Sequence, residues 1–224
     1  MKFHIITIFP EIIRNYFEEG VIGRAVKDGL LDVELYNLRD YTSDKHGKVD
    51  DTPYGGGPGM VLRVDVICNC IENIKDSIKK EKGEKELEKT KTILFSAKGK
   101  KYNQKKACLW RKELKHIILI CGRYEGVDER IAKFVADEEI SIGEYVLSGG
   151  ELPALVVTDS VARLIPGVLG NEDSLSVESY SGDDLKERDY PVYTKPEVFN
   201  KWRVPKVLLS GNHQEIEKWR KKKC

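Results

Sequence analysis

The sequence predicts an α/β fold with a mostly parallel sheet. Short apolar segments rich in strand-forming residues recur along the chain, and longer stretches with apolar residues at helical spacing lie between them. Strands and helices that alternate in this way build parallel sheets covered by helices. The 224 residues suffice for one sizeable core and a small second domain, since domains usually hold roughly 100–200 residues.

Apolar patterning predicts the elements in chain order. The predicted strands are Phe3–Phe9, Val33–Leu38, Ile93–Ser96 and Ile117–Cys121, and the predicted helices are Val61–Ile78 and Val127–Val135. An earlier helical stretch opens at Pro10, where a missing N–H costs nothing, and ends at Gly29. Between Lys79 and Lys91, ten of thirteen residues are charged, which is typical of a solvated helix end or surface loop.

A change in composition predicts the domain organisation. From Asn171 to Asp189 the chain loses apolar periodicity and gains serine and acidic residues, so residues 169–189 are predicted to form a flexible connector. The main domain is then 1–168. Residues 190–224 hold enough apolar side chains for a small helical C-terminal domain.

The overall composition excludes several classes of protein. A chain with 40% hydrophobic and 33% charged residues is too apolar for disorder and too often interrupted by charge for a membrane span. The N-terminal apolar run is short and broken by Pro10, which disfavours a secretion signal. Five cysteines without Cys-x-x-Cys or zinc-ligand spacing predict a cytoplasmic protein with no structural metal. A net charge of +1 means that any nucleic-acid binding depends on local basic clusters.

Three glycine-dense segments are the main candidates for a ligand site. They are YGGGPGM at 54–60, CGRYEG at 121–126 and LSGGELP at 147–153. Glycine lets the backbone approach a ligand closely, and the second segment follows a predicted strand, where α/β folds bind ligands. Each segment alone could equally be an ordinary turn. No phosphate-binding glycine motif is present, which disfavours P-loop hydrolases and dinucleotide-dependent dehydrogenases and suits a ligand such as S-adenosylmethionine.

Longer motifs resemble the bacterial tRNA (guanine-N1)-methyltransferase family of trefoil-knot, SPOUT-type enzymes. The resemblance rests on DDTPYGGGPGM, CGRYEGVDER, SIGEYVLSGGELPALVVTDSVARLIPGVLGNE and VLLSGNH, and it runs in register from ITIFPE to LSGNHQEIEKWR. It implies a deep trefoil knot, a homodimer with the active site at the subunit interface, and methyl transfer from S-adenosylmethionine to N1 of guanine 37 in tRNAs with a preceding guanine. By motif position, the donor site would comprise Ser96, Gly99, Gly122, Tyr124, Glu125, Gly126, Ser141, Ile142, Gly143, Tyr145, Leu147, Gly149, Gly150 and Pro153.

The resemblance also assigns two catalytic roles. Guanine N1 is protonated at neutral pH, so methylation needs a base near N1 and positive charge near O6. Arg163 takes the role of the cation, although a surface pair with Asp159 four residues earlier is the alternative. Glu178 takes the role of the base, in a VESY motif where relatives commonly have aspartate, and Asp173 is the second candidate.

RNA-binding residues are assigned in the same way. His46, Asp50, Lys201 and Arg203 are expected to contact tRNA, and the C-terminal domain is expected to be a tRNA-binding domain. Ala97 stands where relatives often have proline, so we expect this donor-contacting loop to be less stiff. Relatives often continue beyond the last motif, so we expect the small domain to grip tRNA less extensively. The resemblance implies magnesium dependence, but no carboxylate cluster in the sequence marks a site for it.

Two other functions remain open at this stage. One is a related knotted methyltransferase that acts on another RNA, and the other is a noncatalytic RNA-binding module with the same fold. The second alternative does not explain why three glycine loops, Arg163 and an acid at position 178 occur together.

Overall fold

The computed structural model divides into two units, Met1–Gly170 and Asn171–Cys224. A parallel sheet of five strands organises the first unit. The structure describes residues 1–171, 178–181 and 188–223. The strands of the first unit are β1 (Lys2–Thr7), β2 (Asp32–Asn37), β3 (Asp50–Asp51), β4 (Val61–Leu62), β5 (Thr90–Lys101), β6 (His116–Ile120) and β7 (Glu138–Ser141). Its helices are α1 (Glu11–Arg14), α2 (Gly20–Lys27), α3 (Val64–Lys82), α4 (Glu84–Leu87), α5 (Gln104–Glu113), α6 (Glu129–Phe134) and α7 (Glu151–Ala162).

The main sheet has the order β2-β1-β6-β5-β7, and all of its pairings are parallel. Strands β3 and β4 form a separate antiparallel pair. The predicted α/β fold with a mostly parallel sheet is therefore confirmed. The trefoil knot stays a prediction.

The core lies on both faces of the sheet, because side chains alternate along each strand. In β6, Ile117 and Leu119 pack with Trp110 on one face, whereas Ile118 and Ile120 pack with the apolar side of α3 on the other. Both faces are thus covered, as expected for a parallel sheet. This arrangement leaves the carboxyl edges of the strands as the place for a site.

The structure differs from the sequence prediction in several elements, since β3, β4, β7 and α5 were not predicted. The helical stretch after Pro10 breaks into α1, a 3₁₀ turn at Asn15–Phe17 and α2, since Gly20 takes a φ of +64° at the break. Strand β7 was missed, because its four residues begin with two glutamates. Glu138 is tolerated there because Lys91 and Lys106 both pair with it.

The second unit contains a β-hairpin as well as helices. Strands β8 (Val198–Phe199) and β9 (Trp202–Arg203) pair antiparallel, and helices α8 (Lys206–Leu209) and α9 (His213–Lys223) follow. The hairpin turns at Asn200, which takes a left-handed φ of +56° that permits a tight turn. The connector at 169–189 and the boundaries 1–168 and 190–224 stay predictions, with residues 172–177 and 182–187 outside the described chain.

Across the described chain, no helix is both long and apolar enough to cross a lipid bilayer.

Candidate active site

A cavity of about 510 Å³ lies beyond the carboxyl ends of β5, β6 and β7. Its wall consists of residues 94–98, 122–127, 139–143 and 145–150, together with Glu129, Ala132 and Pro153. This volume is in the range of small-molecule sites, which are about 300–1,000 Å³. The cavity therefore has the size and the position of a ligand site in an α/β fold.

Thirteen of the fourteen residues expected to bind the donor line this cavity. The exception is Gly99, which lies against the backbone of Ile140, where an added Cβ would come within 2.6 Å of the Ile140 nitrogen. Both Phe95 and Lys100 are in register with Ile140, so residues 96–99 bulge out of β5. Gly99 thus permits the bulge that brings residues 96–98 into the cavity wall.

The three glycine-dense segments are joined by backbone contacts. The Gly150 N–H donates to the Gly122 carbonyl at 2.9 Å, and the Glu125 N–H donates to the Met60 carbonyl at 3.0 Å. A Cβ on Gly150 would lie 2.6 Å from the Cys121 Cα, so only glycine allows this approach. The segments therefore form one assembly, in which 121–126 and 147–150 supply the wall and 54–60 packs behind 125.

The backbone of this wall has one unusual conformation. Tyr124 takes a φ of +61°, in the left-handed region that bulky residues seldom adopt. Its ring is 48% exposed at the cavity. Strained residues of this kind concentrate at functional sites, where the surrounding structure holds them in place.

A carboxylate in the cavity wall has unused hydrogen-bonding capacity. The Oε1 atom of Glu139 is buried and accepts no hydrogen bond from the described residues. The nearest cation is Lys98, whose Nζ lies 3.9 Å away and is also paired with Glu129 at 2.6 Å. A buried acceptor of this kind fits a ligand that offers a hydroxyl or an ammonium group.

A buried ion pair connects Arg123 of the cavity wall to Glu151 at the start of α7. Arg123 Nε donates to Glu151 Oε2 at 2.9 Å, and the Thr7 hydroxyl donates to Glu151 Oε1 at 2.7 Å. Cys121, next to this pair, is fully buried, and burial raises the pKa of its thiol well above the ordinary value. A thiol in this state remains protonated and unreactive.

Arg163 does not line the cavity. It caps the carboxyl end of α7, whereas Gly150 caps the amino end, so the two lie ~20 Å apart by helical rise. Asp159, the alternative partner, accepts a hydrogen bond from the Tyr16 hydroxyl. Burial, followed by this contact, raises the pKa of Tyr16 to about 12.

Glu178 lies in a short turn of the second unit. Its carbonyl accepts the Ser181 N–H at 3.2 Å, and the Ser179 hydroxyl donates to Asp189. Tyr180 takes a left-handed φ of +64°, with the Arg188 guanidinium 4.2 Å from its ring centroid. Asp173, the second candidate base, lies outside the described residues.

Comparison with known proteins decides the family. A family model described as tRNA (Guanine-1)-methyltransferase TrmD matches residues 1–224. This chain belongs to the tRNA (guanine-1)-methyltransferase family. A tRNA (guanine-N(1)-)-methyltransferase of Clostridioides difficile is 48% identical over 222 residues, which cover 99% of this chain and 91% of the relative. Enzymes with the same name from Dictyoglomus turgidum and Blochmanniella pennsylvanica are 48% and 43% identical over 224 residues, with 85% and 84% of the relatives covered.

Membership of the tRNA (guanine-1)-methyltransferase family confirms the methyltransferase prediction and implies S-adenosylmethionine as the donor and tRNA as the substrate.

The predicted RNA contacts are all at or near the surface. His46 is exposed, and its backbone N–H donates to Asp44 Oδ1 at 2.8 Å. Asp50, in β3, pairs with Leu62 of β4. Lys201 and Arg203 are exposed on the β8–β9 hairpin.

The structure of this family member adds residues that motif reasoning missed. Trp202 is 71% exposed and Phe199 is 58% exposed, with ring centroids 5.9 Å apart beside the two basic residues of the hairpin. In the sequence, Trp202 is one of the apolar side chains that predict a C-terminal domain, and only the local alternation of aromatic and basic residues could have indicated a surface role. Arg123 and Glu151 stood within recognised motifs, but their pairing depends on contacts between distant segments.

Proposed function

We propose that this protein transfers a methyl group from S-adenosylmethionine to N1 of guanine 37 in tRNAs that have guanine at position 36. The observation that carries the proposal is the convergence of two glycine-rich loops and the β5 bulge on one cavity at the carboxyl edge of a parallel sheet. Family membership supports the reaction class and the tRNA substrate. Position 37 and the preceding guanine come from the resemblance of the motifs.

The cavity fits the chemistry of the donor. Glycines at 122, 149 and 150 line the cavity and would let adenine and ribose approach the backbone closely, and Ile142, Tyr145 and Leu147 offer apolar wall. The Oε1 atom of Glu139, which accepts no hydrogen bond from the described residues, would accept one from a hydroxyl or ammonium group of the ligand. When bound, S-adenosylmethionine supplies an electrophilic methyl group on a sulfonium.

Two side chains of this chain would act on guanine. Glu178 would accept the N1 proton, which leaves a nucleophilic nitrogen. Arg163 would stabilise the negative charge that develops on O6, since a cation fixed in advance is favourable where charge builds up. The longer arm of glutamate, compared with the aspartate of many relatives, still places a carboxylate at the motif position.

The distance along α7 supports a homodimer with a shared active site. Arg163 does not line the cavity of its own chain, and by helical rise it lies ~15 Å from Pro153, the wall residue nearest to it along α7. Leu152 and Val156 are 55% and 46% exposed and share a helix face with Asp159 and Arg163, by their spacing of four, three and four residues. Helix α1, which packs on α7, adds the 56% exposed Ile12. We assign a second copy of the chain to this apolar face, because it would bring Arg163 to the partner's cavity.

The second unit is proposed to bind tRNA. Its hairpin presents Lys201 and Arg203 beside exposed aromatic rings, and this combination suits phosphates and stacked bases. His46 and Asp50 are proposed contacts from the first unit. Cys68, Cys70 and Cys121 form no disulfide, and we propose a cytoplasmic location, where tRNA is modified.

Among residues 1–171, 178–181 and 188–223, no group of three or more His, Cys, Asp or Glu side chains could hold a metal ion. These residues therefore offer no candidate ligands for magnesium. The proposed mechanism contains no step that involves the metal.

The two alternative functions make different predictions. A knotted methyltransferase for another RNA would use the same cavity but not this tRNA, and a noncatalytic RNA-binding module would not need a donor cavity. The test is incubation with labelled donor and tRNA transcripts that differ only at positions 36 and 37. We expect label only in transcripts with guanine at both positions, and label in every transcript or in none would contradict the proposal.

A further inference from the structure

Glu151 is a buried carboxylate that the proposed reaction does not use. It is 1% exposed and lies in the first turn of α7, directly after Gly149 and Gly150 of the cavity wall. A charge buried to this degree requires partners, because an unpaired charge in the interior is strongly unfavourable. The contacts of Glu151 therefore indicate what the carboxylate does.

Both carboxylate oxygens are engaged. The Thr7 hydroxyl donates to Oε1 at 2.7 Å, and Arg123 Nε donates to Oε2 at 2.9 Å. The Thr7 oxygen in turn accepts the Phe9 N–H at 2.9 Å, so the threonine is fixed at the end of β1. Glu151 thus links the carboxyl end of β1 to the loop that follows β6.

The link continues into the cavity wall. Arg123 Nη1 donates to the Ser148 carbonyl at 3.2 Å, and Arg123 forms a β-bridge with Gly149. A Cβ on Gly149 would lie 2.2 Å from Arg123 Nε and 2.5 Å from Glu151 Oε2. The path of residues 148–150 is therefore set by the position of the guanidinium.

We propose that Glu151 is a positioning residue for the methyl donor, because it fixes Arg123 and Arg123 fixes the 148–150 backbone of the donor cavity. This inference rests on the proposed function of the cavity. A buried ion pair often adds little stability compared with a well-packed apolar pair, so its value here is geometric. The planar guanidinium bonds the carboxylate and the carbonyl in one fixed orientation, which a binding site needs in its supporting residues.

The test measures the Kd and KM for S-adenosylmethionine separately from kcat and the KM for tRNA. The variants are Glu151→Gln and Thr7→Val, with Thr7→Ser as the conservative variant that keeps the hydroxyl. In the first two variants we expect the Kd and KM for S-adenosylmethionine to rise by about tenfold, with kcat at saturating donor and the KM for tRNA changed by less than about twofold. Thr7→Ser should bind the donor as the wild type does. This separation is not expected from a general loss of stability.

Glu138→Gln is the matched control, since Glu138 is a largely buried carboxylate of the first unit that pairs with two lysines but does not line the cavity. It should lower Tm without raising the donor KM. Wild-type donor affinity in both Glu151→Gln and Thr7→Val, or an equal rise of the donor KM in Glu138→Gln, would overturn the positioning role. If Glu151→Gln fails to fold, Thr7→Val decides, because it removes one hydroxyl and keeps the side-chain shape. A wild-type protein that takes up no donor would overturn the proposed function and this inference together.

Discussion

Gly150 and Arg163 cap opposite ends of helix α7, so one helix separates the donor cavity from the arginine proposed to act on guanine. By helical rise, Arg163 lies ~15 Å from Pro153, the wall residue nearest to it along α7. We propose that Arg163 acts instead at the cavity of a second copy of the chain, so that two copies would share each site.

A mixed-dimer experiment tests whether the Arg163 and the Glu178 of one site come from different copies. In a random mixture of Arg163→Ala and Glu178→Gln chains, half of the dimers carry both variants, and each of these has one intact site if arginine and carboxylate come from opposite partners. We therefore expect about a quarter of wild-type activity after co-refolding or co-expression, although each variant alone is inactive. Activity that stays at the level of the separate variants would place both groups on the same chain.

Arg163→Ala should lose turnover and keep the donor. Removal of one preorganised charge-stabilising group typically lowers kcat by about 10²–10³-fold. Calorimetry with S-adenosylmethionine should give wild-type affinity, since Arg163 does not line the cavity. An equal loss of donor affinity and rate would contradict a role at the guanine.

Glu178→Gln should slow methyl transfer in single-turnover assays with both substrates saturating. A positioned general base typically contributes about 10²–10⁴-fold, and glutamine keeps the size of the side chain but cannot accept the proton. Asp173→Asn is the matched comparison, because it is the other candidate acid in the same segment. A normal rate in Glu178→Gln with a slow rate in Asp173→Asn would reassign the base.

Trp202→Ala and Lys201→Ala should weaken tRNA binding in different ways. Loss of an aromatic stacking platform costs about 1–3 kcal/mol per base and leaves the salt dependence of affinity unchanged. Loss of one phosphate contact reduces the slope of log K against log salt by about 0.7–0.9. Binding measured at several salt concentrations separates the two, and a changed slope in Trp202→Ala would argue against stacking.

His4 should make the protein less stable in acid. Burial lowers the pKa of His4 to about 4, and its ring nitrogens lie 2.9 Å from the Tyr36 hydroxyl and 3.0 Å from His116 Nδ1. Between pH 6.5 and 4 the unfolded chain binds a proton that the folded chain does not, so the free energy of unfolding falls as pH falls, by about 3 kcal/mol over that range.

Urea denaturation at several pH values measures this slope. His4→Gln should flatten it, whereas His46→Gln should leave it unchanged because His46 is exposed. An equal slope in wild type and His4→Gln would mean that other groups cause the acid sensitivity.

Much of the sheet could be predicted from local patterns, because four of its strands contain short segments rich in apolar, strand-forming residues, such as Ile117–Ile120 in β6. Strand β7 could not, since the lysines that make Glu138 acceptable lie far away in sequence. The break at Gly20 was missed for a related reason, because the apolar spacing of a helix continues across it. A local sequence pattern indicates which residues are buried, but it does not identify the distant residues that they contact.

In the candidate site, too, the features that depend on local motifs could be predicted, whereas those that depend on distant contacts could not. Motif positions located the glycine loops and thirteen of the cavity residues, because close backbone approach requires glycine wherever it occurs. Gly99 was assigned to the ligand, but its close contact is with Ile140 across the sheet. The support of Arg123 by Glu151 and Thr7 joins residues from three separate segments, and such contacts follow from the fold rather than from spacing.

The order of the strands has a consequence for how the chain reaches its native state. The central pairing joins β1 to β6, and His4 and His116 in these strands are separated by 112 positions. Strand β1 therefore cannot pair along this edge until residues 112 positions further along the chain have been synthesised. Distant pairings of this kind slow folding and leave apolar strands uncovered during synthesis, so this protein should depend on chaperones more than a helical protein of equal length.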